Sequence, residues 1–258
     1  MVGARYRTRI ATNYTSVAAA EATAESAISL AIAIALPGST EPHVNFPLRC
    51  RMPGGERVLV TIEEETGKID LNTTSPSTLA RFFTALTRDQ SLGIRIAGRI
   101  VELRNPKTID TNAGGTSAPP GPRFATILQL DQIDGISPRL FRSALRLMTV
   151  RSGRPEPDAH AALPALRQLL NLEQKPLPPA RGLPAGGSVT IRADIKSPDG
   201  TRFIREALIS LAAGGKPFQV HEWRHGDIDP AALTASAARG DPKDPDRGCF
   251  RTLNAVAS

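Results

Sequence analysis

Two histidines and a glutamate near the end of the chain have the spacing H-E-x-x-H, in which they are His221, Glu222 and His225. In zinc peptidases this spacing places both imidazoles on one face of a helix, with the glutamate as general base. Here the flanking residues alternate as in a strand, where positions 221 and 225 lie about 13 Å apart, too far to share one zinc ion. Asp227 and Asp229 follow, but no further His or Glu does. We interpret the segment as a strand and keep a zinc peptidase as an alternative function.

A second group of oxygen-bearing side chains lies at residues 110–115, where Asp-Thr-Asn-Ala-Gly-Gly begins like a calcium-binding loop. Calcium requires six or more oxygen ligands, whereas this stretch supplies Asp110 and Asn112 before the glycines and has no closing glutamate. We therefore interpret the stretch as a plain turn. The sequence predicts no cofactor, and calcium is kept as an alternative.

Other catalytic arrangements are absent from the sequence. It has no Gly-x-Ser-x-Gly nucleophile elbow, no P-loop and no dinucleotide-binding fingerprint. The two remaining histidines, His43 and His160, have no plausible nucleophile near them. We therefore predict that the chain is not an enzyme.

Composition and charge limit the class of protein. The 258 residues are 40% hydrophobic, which is enough for a packed core, and the 22 prolines and 21 glycines favour turns and linkers. The net charge of +7 admits nucleic acid or an anionic membrane as a partner, but the charges are scattered, as on a basic soluble surface. The chain has only two cysteines, and they do not have a metal-ligand spacing, so a Cys-based zinc site is excluded. No run of 18 apolar residues exists, so the chain as given is expected to have no transmembrane helix and no signal peptide.

Residues 1–36 are predicted to form one long helix. Residues 27–36 are apolar nearly all round, so we expect this end to be buried, with Ile28 and Ile32 as better probes of burial than Val17. The alternatives are an ordinary core helix or a basic amphipathic helix on a membrane, because three arginines precede residue 10. The small and apolar residues that recur at steps of three and four are Val17, Ala20, Ala24, Ala27, Ile28, Ala31, Ile34 and Ala35.

A switch from strand to helix is predicted at residues 67–76. Before it, residues 57–62 alternate as in a half-buried strand, and the acidic run at residues 63–65 is interpreted as a solvated strand edge. After it, Thr74 or Ser75 can cap a helix that has Pro76 in its first turn. The apolar residues of this helix follow at helical spacing and are Leu79, Phe82, Phe83 and Leu86.

Residues 72–150 are predicted to form a helical block. Two short helices, one beginning at residue 127 and one at residues 140–147, flank a tight hairpin around Gly135 and give a helix-hairpin-helix pattern. In DNA-binding versions of this pattern, the hairpin and nearby basic residues hold phosphates. This hairpin carries Asp131 and Asp134 with only Arg139 close, so we interpret it as a packing module and keep DNA binding as an alternative. A preceding helix, ending near residue 104, has an apolar face of Ile94, Ala97, Ile100 and Val101.

The last third of the chain returns to strands after a proline-rich linker. Residues 189–195 alternate as a strand, residues 202–211 fit either a strand or a helix, and residues 218–224 fit a strand. The short turns between them imply an antiparallel meander. Because residues 57–62 and 189–195 each have one apolar face, we predict that they belong to one sheet.

The stretch G-K-I-D-L-N-T-T-S-P-S-T-L-A-R-F-F-T-A-L at residues 67–86 resembles the corresponding segment of the K-type minor pseudopilins of type II secretion systems, known as general secretion pathway protein K. The resemblance extends over about residues 5–224, in which the Ala-rich helix, the first strand, the helical block and the final strands occur in the order that the family has them. The stretch at residues 67–86 is its most specific part.

The resemblance implies an α+β protein with a pilin-like fold, in which a long N-terminal helix packs on an antiparallel sheet. It also implies an inserted all-helical domain of helix-hairpin-helix or SAM-like type. The domains expected from it are a stem helix at residues 1–37, a pilin-like sheet domain at residues 38–71 and 188–226, an inserted helical domain with its proline-rich linker at residues 72–187, and a tail at residues 227–258.

The resemblance also implies a function in protein secretion without a reaction. Such a protein assembles with other minor pseudopilins at the tip of the periplasmic pseudopilus, where it initiates or caps the fibre and meets the secretion machinery and secreted proteins. It is a single-pass protein of the bacterial inner membrane, with a leader and anchor expected before Arg5 that are missing here, and no nucleic acid partner is expected. Family members can carry calcium, but the acidic pair usual for them is replaced by Asn105, Pro106 and Lys107.

The two cysteines, Cys50 and Cys249, lie at nearly opposite ends of the sequence. The periplasmic location that the resemblance implies is an oxidising compartment, in which disulfides form. Because the chain has only two cysteines, they are the only possible intramolecular pair. Cys50 is expected in the loop that enters the first strand, and Cys249 in a tail without a periodic apolar pattern. The alternative is two unrelated thiols.

Overall fold

The structure is a computed structural model that describes residues 2–36, 46–105, 124–173, 187–212 and 215–227 together with Cys249. It is an α+β protein with an antiparallel sheet. The chain divides into two compact units. The first unit comprises Met1–Glu63 and Pro179–Ser258, and the second comprises Glu64–Pro178.

The predicted long helix and the strands predicted at residues 57–62, 189–195 and 218–224 are confirmed, and residues 202–211 form a strand. Two short 3-10 helices cover Glu65–Gly67 and Ile127–Gln132. The other elements are α1 (Val2–Ala35), β1 (Leu48–Arg51), β2 (Arg57–Glu64), β3 (Ile69–Asp70), α2 (Pro76–Thr87), α3 (Gln90–Arg104), α4 (Pro138–Leu145), β4 (Met148–Thr149), α5 (Pro164–Leu170), β5 (Gly187–Lys196), β6 (Arg202–Leu211) and β7 (Phe218–His225).

The first unit consists of α1 packed on a five-stranded sheet with the strand order β1-β2-β5-β6-β7. The pairs β1–β2, β5–β6 and β6–β7 are antiparallel. Strand β2 lies directly beside β5, which confirms the prediction that residues 57–62 and 189–195 belong to one sheet. The apolar face of the sheet and one side of α1 together enclose a core that includes Ile28, Val60, Ile191 and Ile209.

The C-terminal half of α1 supplies the helix side of this core, which confirms that Ile28 and Ile32 are buried. The burial expected for residues 27–36 holds for one side of the helix only, since Ser29 and Ala33 are exposed. Alanine has the highest helix propensity, and its small side chain lets the helix approach the sheet closely. The two isoleucines fill the remaining space between the helix and the sheet. The residues of this side, each at most 6% exposed, are Ala20, Ala24, Ala27, Ile28, Ala31 and Ile32.

The second unit packs α2, α3, α4 and α5 around its own apolar core. The rings of Phe82 and Phe83 lie at its centre, edge to face with their centroids 5.1 Å apart. Helices α2 and α3 approach closely because α3 carries Gly93 at the contact, where a Cβ atom would lie 2.6 Å from the backbone nitrogen of Thr84. This close contact fixes which face of α3 is buried.

One predicted face is wrong. Ile94 was expected on the apolar face of its helix, but it is 54% exposed. The buried face of α3 instead carries Gly93, Ile96, Ala97 and Ile100. The helix itself was predicted correctly, and the error arises because the glycine contact with α2, rather than the largest apolar residues, sets its rotation.

The boundary between strand and helix belongs to the second unit. Strand β3 pairs in parallel with β4, so residues 64–71, which were expected in the sheet domain, fall in the second unit. The interpretation of residues 63–65 as a solvated edge is wrong, since Glu63 is 7% exposed and Glu65 is 2% exposed. The Glu65 carboxylate forms an ion pair with Lys68, 2.6 Å from Nζ, and a buried carboxylate requires such a partner.

The start of α2 distinguishes between the two predicted caps. Ser75 is the N-cap, because its Oγ accepts a hydrogen bond from the Thr78 amide at 3.2 Å, and Pro76 occupies the first turn. The Ser75 hydroxyl also donates to Glu156 Oε1 at 2.7 Å. Thr74 has a different role, since its hydroxyl accepts from the Asp70 amide at 2.9 Å.

Replacing Ser75 with alanine is expected to lower the free energy of unfolding by about 1 kcal/mol, which is the usual loss when a helix N-cap is removed. Chemical denaturation followed by far-UV circular dichroism measures this loss. Ser91→Ala, an exposed change inside α3, is the matched control and should leave the midpoint in place. Equal midpoints for the two variants would contradict the assignment of the cap.

Candidate functional site

One face of α1 carries a series of residues separated by three or four positions, which keeps them on a single side of the helix. The first four members are exposed, with Tyr6 at 69%, Ile10 at 45%, Tyr14 at 74% and Val17 at 43%. We call these four residues the open stripe. One face of a single helix is thus open at its beginning and covered at its end. The next four members are buried against the sheet and are Ala20, Ala24, Ile28 and Ala31.

The contacts that fix α1 to the sheet begin where the open stripe ends. Ser16 lies near the Asp199 carboxylate in the turn after β5, and together with donors from Thr201 it holds the pKa of Asp199 below its usual value. Further along the helix, Glu21 and Glu25 form ion pairs with Arg205 of β6 at 3.3 and 2.7 Å. The described polar contacts between α1 and the sheet thus lie at Ser16 and beyond it.

The open stripe lies on the side of α1 that faces the sheet, because it continues the buried series. The opposite side is polar, and the hydroxyls of Thr12 and Thr15 are satisfied by helix carbonyls. At 1.5 Å per residue, the stripe is about 17 Å long. A flat membrane laid along it would meet the sheet, so this geometry disfavours the membrane-surface alternative. A protein partner that occupies the space next to the end of the sheet, on the same side of α1, fits this geometry better.

The charged side chains that α1 carries beside the open stripe are basic, and the Asp199 carboxylate lies near Ser16 only at the end of the stripe. Arg7 and Arg9 are exposed beside it, and the first acidic residue of the chain is Glu21, beyond its end. Charge complementarity favours a partner with acidic side chains next to an apolar patch. The stripe is therefore a candidate surface for protein contact, with aromatic residues of the type enriched at such contacts.

The H-E-x-x-H residues lie on a strand, as predicted, in β7. A bulge interrupts the pairing of β7 with β6. His221 Nε2 lies 2.7 Å from the Ser210 hydroxyl, whereas the His225 ring contacts the Phe203 ring edge to face at 4.8 Å. Because Ser210 and Phe203 occupy alternate faces of β6, the two imidazoles lie on opposite faces of the sheet. They cannot bind one zinc ion together.

The second candidate metal site is the calcium-like stretch at residues 110–115. No group of three or more His, Cys, Asp or Glu side chains that could hold a metal ion occurs in the part of the chain that the structure describes. Residues 110–115 lie outside the described residues. Calcium binding at Asp110 and Asn112 therefore stays a prediction.

The hairpin around Gly135 packs against α3. Gly135 has a φ of 92°, and a Cβ atom there would lie 3.3 Å from Cγ1 of Ile96. The side chains of Asp131, Asp134 and Arg139 are exposed. The glycine thus contacts protein while two carboxylates face solvent, where they would repel phosphate. This arrangement favours the interpretation as a packing module over DNA binding.

Asp70, within the stretch that carries the resemblance, is 1% exposed and saturated with donors. Its Oδ1 accepts from the Asn72 amide at 2.8 Å. Its Oδ2 accepts from the amide and hydroxyl of Ser152 at 2.8 and 3.0 Å and from the Gly153 amide at 2.8 Å. Burial lowers the pKa of nearby Arg104, and the Asp70 charge opposes that shift. Asp70 therefore joins the loop after β3, at Asn72, to the segment at Ser152 and Gly153, which is a structural role.

A buried charged cluster on the face of the sheet opposite α1 was not predicted from the sequence. Glu206 of β6 forms ion pairs with Arg192 of β5 and with Arg224 of β7, the latter at 2.7 Å. Arg192 also donates to the carbonyl of Asp227. One carboxylate thus connects three adjacent strands, which is a structural role. The one sequence signal for this cluster is the alternation of Thr190, Arg192 and Asp194 with apolar residues in β5.

A disulfide joins Cys50 to Cys249, with their Cα atoms 4.9 Å apart. Cys50 lies within β1, so its expected place in a loop is wrong. The Cys249 amide donates to the Arg51 carbonyl at 3.0 Å, which places this residue along the outer edge of β1. Both cysteines line a small apolar cavity of about 60 Å³ between α1, β1 and β2.

No protein-family model and no curated protein sequence matches the chain. Among the described residues, none of the helices combines the length and the hydropathy needed to cross a bilayer. The open stripe is a candidate site because of its exposure, its spacing and the basic residues beside it.

Most of this site was not predicted from the sequence. The predicted apolar series starts at Val17, although the same steps of three and four residues lead back through Tyr14 and Ile10 to Tyr6. A usable signal was present, because the chain has only two tyrosines and both lie in this series. The exposure of these residues depends on where the sheet ends along the helix, and local sequence does not encode that point.

Proposed function

We propose that this chain is a minor pseudopilin of the K type, which assembles with other minor pseudopilins at the tip of a type II secretion pseudopilus and initiates or caps the fibre. The observation that carries the proposal is the open stripe. A subunit that assembles with other minor pseudopilins needs an apolar surface that its own fold leaves uncovered. Tyr6, Ile10, Tyr14 and Val17 offer that surface.

The size of the stripe is consistent with contact to several partners. Completing the burial of each of the four side chains contributes roughly 1–2 kcal/mol. Association of two free proteins costs about 4 kcal/mol or more in lost translational and rotational freedom. The stripe alone would therefore support a weak pair, and a stable assembly requires further contacts or further subunits. A multi-subunit fibre tip supplies both.

The residues that carry the resemblance support the same proposal. They form β3, the loop after it and α2, and they depend on Asp70 for their conformation. A stretch under such tight structural constraint is a better indicator of fold than one on a solvated surface. The proposal places the chain in the periplasm, anchored to the inner membrane, without catalytic activity and in contact with the secretion machinery and secreted proteins.

Replacing Tyr14 with aspartate is expected to weaken binding to partner minor pseudopilins by at least about 30-fold, because an exposed tyrosine that becomes buried in a contact is a typical hot spot. Co-expression with the other minor pseudopilins encoded in the same genome, followed by affinity purification and biolayer interferometry, measures the change.

Thr15→Asp is the matched control, because it introduces the same charge one residue away on the opposite side of α1. It should change the affinity by less than about threefold, as expected for a charge at the rim of a contact. Both positions are exposed, so neither variant should lower the thermal stability of the isolated chain. A parent chain that binds no minor pseudopilin would overturn the proposed function, and equal losses for both variants would overturn the role of the stripe.

A further inference from the structure

We infer that the disulfide between Cys50 and Cys249 is a redox-controlled latch on β1, so that its reduction releases this edge strand while the rest of the first unit stays folded. The inference is independent of the proposed function. Within the described part of the chain, β1 is a short and weakly buried strand. The strand has four residues, of which none is fully buried and Arg49 is exposed. Strand β5, at the centre of the same sheet, is buried along most of its length.

The packing behind β1 is also incomplete. The cavity of about 60 Å³ lies between Leu48 of β1, Ala27 and Leu30 of α1, and Val58 and Val60 of β2. Side chains that border a void lose the dispersion contacts that a filled core would give them. Strand β1 therefore gains less from packing on α1 than β5 and β6 do. Besides the disulfide, the described contacts that hold β1 include its backbone pairing to β2, the packing of Leu48 and Cys50 against the core, and a hydrogen bond from Arg51 to the Gly55 carbonyl.

The disulfide adds a restraint from the other side. Residues 49 and 51 direct their backbone groups away from β2, since the Arg51 carbonyl accepts from the Cys249 amide at 3.0 Å. Cys249 thus covers one outward position of the edge, and its covalent bond holds Cys50 in place. The two cysteines are 199 positions apart, so the bond closes a very long loop and strongly restricts the opened chain.

Reduction by a dithiol removes this restraint in a balanced exchange. The dithiol gives two electrons and two protons to the two Sγ atoms, which become thiols, and it closes to its own cyclic disulfide. Cys249 then keeps its backbone hydrogen bond to Arg51 and its buried place in the core, and β1 keeps its pairing to β2. Opening of β1 would uncover the apolar side chains that border the cavity, which include Leu30 and Val58. The bond therefore controls whether an apolar surface beside α1 is covered.

Hydrogen–deuterium exchange of the full chain with and without dithiothreitol tests the latch. We expect amide exchange in a peptide covering β1 to rise by at least about tenfold on reduction, because weakly packed edge elements open at the low end of the range of local stabilities. Peptides from β5 and β6 should keep their protection. Alkylation and mass measurement on the same sample establish that both thiols have formed.

A double variant, Cys50→Ser with Cys249→Ser, separates the bond from the reductant. It should show the fast β1 exchange without dithiothreitol and should not respond when the reductant is added. Unchanged β1 protection in a chain with both thiols alkylated would overturn the inference. Equal loss of protection in β1 and β5 would also overturn it, because the bond would then support the whole unit rather than one strand.

Discussion

Replacing Ile28 with aspartate is expected to lower the free energy of unfolding of the first unit by at least about 4 kcal/mol, and a loss of this size is enough to unfold many domains. Ile28 is 0% exposed and lies in the core between α1 and the sheet. A carboxylate there must either stay charged without water or take up a proton and still lack hydrogen-bond partners. Both outcomes disfavour the docked helix.

Urea unfolding followed by tryptophan fluorescence measures this effect, because Trp223 on β7 is the only tryptophan of the chain and lies in the first unit. Val17→Asp is the matched control, since it places the same charge on the same series of α1 at a residue that is 43% exposed. It should shift the midpoint only slightly. If Ile28→Asp unfolds like the parent, the C-terminal half of α1 is not docked on the sheet.

The second large effect is expected at Asp70. Asp70→Ala removes the acceptor for four hydrogen bonds, three from backbone amides and one from the Ser152 hydroxyl. Each donor left without a partner in a buried site costs about 1 kcal/mol or more, so the total loss is expected to reach about 4 kcal/mol. The loss should appear in the helical second unit, and far-UV circular dichroism in urea measures it.

Asp131→Ala is the control for this change, because it removes an exposed carboxylate from the same unit. It should leave the midpoint within experimental error. Asp70→Asn gives a finer test, since an amide keeps one acceptor but turns a donor toward amides that also donate. We expect it to lie between the parent and Asp70→Ala. An asparagine variant as stable as the parent would mean that the carboxylate charge and its second oxygen contribute little.

Local patterns predicted the elements whose two faces differ clearly. Alternation located β2, β5 and β7, and the Ser75–Pro76 signal located the start of α2. Strand β6 stayed ambiguous between strand and helix because it is buried on both faces and therefore lacks alternation. Its charged residue Glu206 is buried only because Arg192 and Arg224 come from neighbouring strands. Such pairing depends on the sheet order.

The candidate site was harder to predict for a related reason. The spacing of apolar residues predicts which side of α1 is apolar, but it does not predict how much of that side the sheet covers. The change from exposed Val17 to buried Ala20 occurs where the sheet ends, next to Asp199. The role of Asp70 was likewise hidden, because its partners Ser152 and Gly153 are more than 80 positions away. Long-range contacts of this kind leave no local periodic signal.

The bulge in β7 has a consequence for solubility. Strand β7 is the last in the sheet order, and a regular edge strand is a template on which other extended chains can add and start cross-β aggregates. The bulge breaks the regular spacing of its pairing with β6, and such breaks make an edge a poor template. Many copies of this chain can therefore be crowded together with a lower risk of amyloid-like growth.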